Sequence, residues 1–158
     1  MIRPYKPGDL PVIMDIGNRA WRGIHAMFKE TYGPELYQLL VPDETTRKGE
    51  QIKAHCQAHP AWVRVCEEGG RIVGFVTFFL DSKTKIGTIG NNAVDPDCGL
   101  KGIGRQMYQA VLALFRSEGM AYAGVGTGLD EAHARARKAY ERIGFNIRHD
   151  KVEYYMKL

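Results

Sequence analysis

Apolar residues recur at three- and four-residue spacing along four stretches of the chain, and this period is typical of amphipathic helices. Two of the stretches cover residues 10–32 and 35–57, with a Gly-Pro break between them, and a third covers residues 101–118. A shorter stretch lies between Asp130, a residue type that caps helix N-termini, and Gly144, a residue type that ends helices. The pattern therefore predicts about four helices.

Runs rich in β-branched and aromatic residues lie between these helices and predict strands. The clearest pair, "AWVRVC" and "RIVGFVTFFL", is separated by "EEGG", in which Gly69 and Gly70 can adopt the positive φ of a tight hairpin turn. Further strands are predicted at "MIRPY", at residues 85–94, and at "AYAGVGTG", "GFNIRH" and "VEYYMKL". This order predicts a mixed α/β fold with a central, mostly antiparallel sheet and one parallel pair made by a β-α-β crossover.

The length and composition indicate a single compact globular domain. With 158 residues, of which 44% are apolar, the chain can bury one sizeable core, which predicts a single domain over residues 1–158. The formal charge of +4 is spread along the chain and mildly favours an anionic ligand, whereas a nucleic-acid interface would need a concentrated basic stripe. No apolar leader or run of roughly 18 apolar residues occurs, so we expect a cytoplasmic protein with no membrane span. Three cysteines without C-x-x-C spacing indicate neither a disulfide framework nor a zinc site.

Three glycines fall within the segment "DPDCGLKGIGRQM", where a predicted strand ends and a predicted helix begins. Gly99, Gly102 and Gly104 allow a ligand to approach the backbone closely, and the helix points its first free N–H groups into the same turn. Lys101 and Arg105 add positive charge there. These features predict a phosphate or pyrophosphate site, although the turn matches neither the P-loop pattern nor G-x-G-x-x-G.

This turn and the last predicted helix lie in two longer segments, "NNAVDPDCGLKGIGRQMYQAVLALF" and "ARKAYERIGF". The first is similar to the strand, R/Q-x-x-G-x-G/A loop and helix of the GNAT superfamily of acyl-CoA-dependent N-acetyltransferases, and the second is similar to its A-x-x-x-Y-x-x-x-G-F segment. Both lie in the order and at the separation usual in that superfamily. The predicted order of helices and strands resembles its fold from residue 1 to 158.

The resemblance implies acetyl-CoA as cofactor and assigns a role to several positions. The loop amides would bind the pyrophosphate through the backbone of Gly99, Leu100, Lys101, Gly102, Ile103, Gly104 and Arg105. The strand before the loop, with Asn92, Ala93 and Val94, would pair with the pantetheine arm. A bulge at Asn91-Asn92 would bring a backbone amide close to the thioester carbonyl, which makes Asn92 a catalytic candidate. Tyr140 matches the tyrosine that protonates the departing thiolate in many members, although its place on an apolar helix face also fits core packing.

Two positions depart from the family pattern, and the general base is not evident. Gly99 replaces a Gln or Arg that often assists phosphate binding, and His133 stands where many members have an asparagine that contacts the pantetheine arm. Some members place a glutamate near the position of Thr88, but no carboxylate occurs from residue 85 to 94. The remaining candidates for the base are His25, Glu30, Asp130 and Glu131; His25 also fits a core position, and the last two fit first-turn acids of a helix.

The leading hypothesis is an N-acetyltransferase that moves the acetyl group of acetyl-CoA directly to a primary amine in a ternary complex. The alternatives are a coenzyme A-binding sensor without useful catalysis and, less favoured, a nucleotide-binding switch. The aromatic residues Trp21, Phe28 and Tyr32 lie near Glu30 and Glu35 in the sequence. Together they could admit a polyamine, an aminoglycoside or a peptide N-terminus, so the acceptor stays open. His55 and His59 are four residues apart with Cys56 adjacent, a spacing that can bind a metal from one helix face, but two ligands without a recognisable third are usually coincidence. A homodimer is common in the superfamily.

Overall fold

A computed structural model describes all 158 residues and shows one mixed sheet of five strands in the order β1-β2-β3-β4-β5. The strands are β1 (Ile2–Pro4), β2 (Val63–Glu68), β3 (Arg71–Asp81), β4 (Ile86–Val94) and β5 (Tyr122–Val125). The first four pair antiparallel, and β4 pairs parallel with β5. The predicted crossover and hairpin are therefore confirmed, with positive φ at both Gly69 (56°) and Gly70 (75°) in the turn.

Five helices flank the sheet: α1 (Leu10–Ala20), α2 (Arg22–Leu40), α3 (Arg47–Ala58), α4 (Ile103–Ser117) and α5 (Ala134–Arg142). The predicted helix over residues 10–32 is broken at Trp21, so the apolar period there belongs to two helices. Gly33, with φ 73° and ψ 162°, interrupts the helical backbone within α2 just before Pro34, so the predicted Gly-Pro break is confirmed. The predicted helix over 35–57 is wrong in its continuity, because residues 41–46 separate the end of α2 from the start of α3. None of the helices is long and apolar enough to cross a membrane.

Two cores lie on opposite faces of the sheet. One face packs against α1 and α3 through Ile13, Ile16, Ile52, Cys56, Val63, Val65, Phe75 and Ala93. The other packs against α4 and α5 through a cluster that includes Val76, Phe78, Ile89, Met107, Tyr108, Val111, Phe115 and Tyr140. The result is a three-layer α/β/α arrangement in which β4 faces both helical layers.

The predicted strands "GFNIRH" and "VEYYMKL" are wrong, because no strand follows α5. Several side chains of this segment stay exposed, among them Ile147, Val152 and Tyr154. The segment instead contacts α2, where the Tyr155 ring packs edge-on against Tyr32 and Lys157 pairs with Glu35. Its β-prone residues find partners on a helix and not at the edge of β5, so their propensity does not produce a strand.

Candidate active site

A β-bulge interrupts β4 in the middle of the sheet. Two residues of β4, Gly90 and Asn91, stand opposite Thr77 alone of β3. Thr77 Oγ1 donates to the Asn91 carbonyl oxygen at 3.1 Å, and a Cβ on residue 90 would lie only 2.6 Å from that hydroxyl, so the close approach requires glycine. The bulge expected from the Asn91-Asn92 pair is confirmed, one residue earlier than the pair itself.

Beyond the bulge, β4 has an open edge on the side of β5. The parallel pairing between the two strands covers only residues 86–89 of β4, and the strands have no paired residues after that. Residues 92–94, which are predicted to pair with the pantetheine arm, therefore have a strand partner on the β3 side only. An extended ligand could take the place of a strand along this edge.

Asn92 links two tyrosines from the helical layer of α4 and α5. The Tyr108 hydroxyl donates to Asn92 Oδ1 at 2.7 Å, and Asn92 Nδ2 donates to the Tyr140 hydroxyl oxygen at 3.2 Å. Tyr140 is thus an acceptor in this chain of bonds and keeps its own proton available for another group. Burial raises the pKa of Tyr108 far above its ordinary value, so that hydroxyl stays protonated. Tyr108 could not be assigned to the site from the sequence, because it occupies an ordinary core position of α4.

The glycine-rich loop carries backbone N–H groups that are free to bind an anion. No amide from Gly99 to Arg105 donates a hydrogen bond within the chain. Gly99 (φ 66°) and Gly102 (φ 83°) have backbone conformations that favour glycine, and α4 begins directly after Gly102. The free amides therefore lie at the positive end of the α4 dipole, as expected for a phosphate site.

An ion-pair cluster that was not predicted holds the start of this loop against α1. Arg19 Nη1 donates to Asp95 Oδ1 at 2.7 Å and to Asp97 Oδ2 at 2.6 Å. Asp95 is buried, and hydrogen bonds from Arg19 hold the pKa of its carboxyl below the ordinary value. The partners are far apart in the sequence, so spacing alone could not reveal the pair.

A cleft of about 1400 Å³ joins the loop to the bulge and continues to α3. Most of the predicted site residues line it: Asn92, Ala93, Val94, Gly99, Leu100, Gly102, Gly104, Arg105, His133 and Tyr140. Lys101 and Ile103 do not line it; the Lys101 side chain is exposed and Ile103 is buried in the core beneath α4. Their backbone amides nevertheless belong to the free set of the loop.

Of the four candidates for the general base, only Glu131 lines the cleft. Glu30 is exposed on α2, and the Asp130 carboxylate is engaged by His133, whose Nδ1 lies 2.8 Å from it. His25 is buried away from the cleft, and burial followed by the nearby charge of Lys48 lowers its pKa. Acid-base chemistry at His25, Glu30 or Asp130 therefore has no geometric support.

At the far end of the cleft, groups that were not assigned to the site from the sequence line the cleft or lie directly behind it. Lys48 Nζ donates to Asn91 Oδ1 at 3.1 Å and to Gln51 Oε1 at 2.6 Å, and burial lowers its pKa to about 8. His55 and His59 line the cleft with ring centroids 5.5 Å apart, but no group of three or more His, Cys, Asp or Glu side chains is placed to hold a metal ion. The Cys56 thiol, whose pKa burial raises to about 11, lies in the core.

Comparison with known proteins agrees with this arrangement. The model of the acetyltransferase (GNAT) family matches residues 21–145. A search of curated proteins finds no significant match. Among solved structures, the chain is similar to a GNAT family acetyltransferase from Brucella melitensis in complex with acetyl-CoA, with 22% identity and TM-score 0.62 over 93% of this chain and 82% of that one.

Two further structures share the fold. The ribosomal-protein-S18-alanine N-acetyltransferase from Escherichia coli has 19% identity and TM-score 0.69, over 94% of this chain and 79% of that one. The PaiA N-acetyltransferase from Thermoplasma acidophilum in complex with coenzyme A has 13% identity and TM-score 0.70, over 96% and 92%. At these identities the likeness concerns the fold.

Proposed function

Because the chain belongs to the GNAT acetyltransferase family, we propose that it transfers an acetyl group from acetyl-CoA directly to a primary amine within a ternary complex. The family uses acetyl-CoA as its acyl donor. The observation that carries the proposal is the continuity of the cleft, which leads from free loop amides along an open strand edge to a tyrosine with an available proton. A cytoplasmic location and a homodimer stay predictions.

The residues present fit coenzyme A along its length. The free amides from Gly99 to Arg105 supply donors for the pyrophosphate, and the open edge of β4 at residues 92–94 supplies backbone groups for the pantetheine arm. His133, with its ring oriented by Asp130, lines the same stretch of the cleft and can still form a polar contact where many relatives have asparagine.

Acetyl-CoA supplies the activated acetyl thioester, which the amine nitrogen attacks at the carbonyl carbon. At the bulge, Gly90 and Asn91 share a single opposite residue of β3, which re-aims the backbone so that an N–H group there can donate to the carbonyl oxygen as negative charge develops. As the C–N bond forms and the C–S bond breaks, Tyr140 donates its free hydroxyl proton to the sulfur. The nitrogen loses one proton, for which Glu131 is the acceptor candidate that lines the cleft.

The neighbours with this fold do not share one named acceptor. The E. coli neighbour is named for acetylating an alanine of a ribosomal protein, whereas PaiA is named only as an N-acetyltransferase. The residues that line this chain's own cleft therefore have to indicate its acceptor.

Calorimetric titration of acetyl-CoA into wild type, Gly104→Glu and Gly104→Ala tests the cofactor site. A Cβ at residue 104 meets only Tyr108 and Val94 at 3.8 Å, so either side chain fits, and only Glu places a negative charge among the loop amides. We expect Gly104→Ala to bind within a fewfold of wild type and Gly104→Glu to lose binding by at least tenfold. Binding without thiol release with any amine would favour a coenzyme A sensor, and no wild-type binding would refute the proposal.

A further inference from the structure

The half of the cleft beyond the bulge has no acidic lining. This acceptor pocket is formed by α1, α2, α3 and β3 and is lined by Ala20, Trp21, Ile24, Gln51, His55, Ala58, His59, Thr77 and Phe79. The carboxylates that line the cleft, Asp95 and Glu131, belong to other segments, and Asp95 is already paired with Arg19. Glu30 and Glu35, whose charges made a cationic acceptor one of the possibilities in the sequence, lie outside the cleft.

One wall of the acceptor pocket is aromatic. Phe79, which is 43% exposed, packs edge-on against His55 and His59 with ring centroids 4.7 and 5.6 Å away. His59 in turn stacks on Trp62 at 4.6 Å. The His55 Nε2 atom lies 3.3 Å from the Trp62 carbonyl oxygen, which can only accept, so Nε2 carries the proton. Burial lowers the pKa of His55, so its ring is neutral at pH 7 and offers no charge to a ligand.

A positive charge lies directly behind the pocket. Lys48 does not line the cleft, but the three groups that it contacts do: Asn91, Gln51 and the Trp21 ring, whose centroid is 4.3 Å from Nζ. All three are neutral, and Lys48 forms no ion pair with a carboxylate. At pH 7 the side chain is still an ammonium, because its lowered pKa of about 8 remains above neutral. The charge therefore acts on the pocket without a local counter-charge.

From these features we propose that the acceptor pocket selects a mono-amine with a flat apolar body and rejects polyamines. This inference rests on the proposed acetyltransferase function. Phe79 contacts the body of the acceptor, and Lys48 repels a second cationic group. Thr77 and Phe79 are two residues apart on one face of β3, about 7 Å, so a ring joined to the amine by a short linker spans the distance from bulge to wall. The same charge disfavours protonation of the reacting nitrogen and so favours its nucleophilic form.

Phenethylamine and spermidine are the two probes that test this selection. Their binding is measured by calorimetry with coenzyme A present, and their turnover by thiol release from acetyl-CoA. For wild type we expect kcat/KM for phenethylamine to exceed that for spermidine by at least tenfold. Phe79→Ala should weaken phenethylamine binding about tenfold, which corresponds to about 1.4 kcal/mol. Lys48→Gln should reduce the preference about tenfold, mainly by a gain for spermidine.

The matched control is Lys53→Gln, which removes the same charge from a partly exposed position of the same helix, where Lys53 pairs with Glu50. It should leave the preference unchanged, and thermal melts followed by circular dichroism report whether each variant is folded. Equal or better use of spermidine by wild type, or equal effects of Lys48→Gln and Lys53→Gln, would overturn the inference while leaving the acetyltransferase function intact. Preferential binding of phenethylamine without thiol release from any amine would refute the acetyltransferase function and, with it, the inference that the pocket selects an acceptor. Failure of phenethylamine both to bind and to react would overturn the inference.

Discussion

Replacing Arg19 by methionine tests how the start of the glycine-rich loop is held in place. Arg19 donates to both Asp95 and Asp97, but the Asp95 side chain is 8% exposed and that of Asp97 is 78% exposed. In Arg19→Met, Asp95 keeps the hydrogen bond from the Asp97 backbone amide and loses its counter-charge. The loss of stability should therefore come almost entirely from the buried Asp95.

The expected loss follows from how deeply the pair is buried. Breaking a fully buried ion pair costs about 3–5 kcal/mol, whereas exposed pairs contribute about 0–1 kcal/mol. Because Arg19 is 19% exposed and Asp95 retains one donor, we expect the free energy of unfolding to fall by roughly 2–3 kcal/mol. In a chain of this length that lowers Tm by about 4–12 °C. KM for acetyl-CoA should rise as well, because the loop loses its anchor on α1.

Urea and thermal unfolding between pH 3 and pH 7 are the assays, with Asp97→Asn as the control. The pKa of Asp95 is lowered from its ordinary value of 3.8, so its pairing stabilises the fold above about pH 4 and the contribution is lost as the pH falls through the folded-state pKa. The difference between wild type and Arg19→Met should therefore shrink below pH 4, and Asp97→Asn should change stability by less than about 0.5 kcal/mol. A loss that is independent of pH, or equal in the control, would refute this account.

Three further variants address the bulge and the tyrosines. Tyr140→Phe should retain the core packing and acetyl-CoA binding while kcat falls by about 10²–10⁴-fold in single-turnover thiol release, and unchanged kcat would contradict proton donation by this residue. Tyr108→Phe should lower kcat by a smaller factor than Tyr140→Phe, because loss of the Tyr108 hydroxyl only frees the Asn92 side chain to reorient. An equal or larger loss of kcat in Tyr108→Phe would argue against Tyr140 as the proton donor. Gly90→Ala should cost about 1–3 kcal/mol of unfolding free energy, since its Cβ would collide with Thr77, and Gly126→Ala, with open space at its Cβ, is the control.

The features that could be predicted from the sequence are those set by local backbone chemistry. The two-glycine turn between β2 and β3, the glycines of the loop after β4 and the stop at the end of α5 each depend on conformations that few other residues adopt. The bulge was predictable because asparagine is unusual in a strand. The position of Tyr140 could be predicted from a motif, whereas its hydrogen bond to Asn92 depends on tertiary structure.

The features that could not be predicted depend on contacts between distant segments. From the sequence alone, Arg19 is interpreted as an exposed helix residue and Asp95 as the end of a strand. Lys48 is interpreted as one of several charged residues on a polar helix. The C-terminal segment has a β-prone pattern, yet it packs on α2, because propensity does not state which edge or face is available. The acceptor pocket was missed for the same reason: His55 and His59 were considered as metal ligands on one helix, whereas Phe79, which contacts both rings, belongs to a strand distant in the sequence.

The bulge explains why one strand serves both helical layers. In a regular strand alternate residues face the same side, so Thr88, Gly90 and Asn92 would all face α3. The extra residue reverses this alternation, and Ile89 and Ala93, four positions apart, pack in opposite cores. Asn92 consequently faces Tyr108 and Tyr140, while Asn91 faces Lys48. Without the extra residue of the bulge, Asn92 would face away from both tyrosines. The bulge therefore lies where β4 loses its pairing with β5, and it also turns Asn92 toward Tyr140, the proposed proton donor.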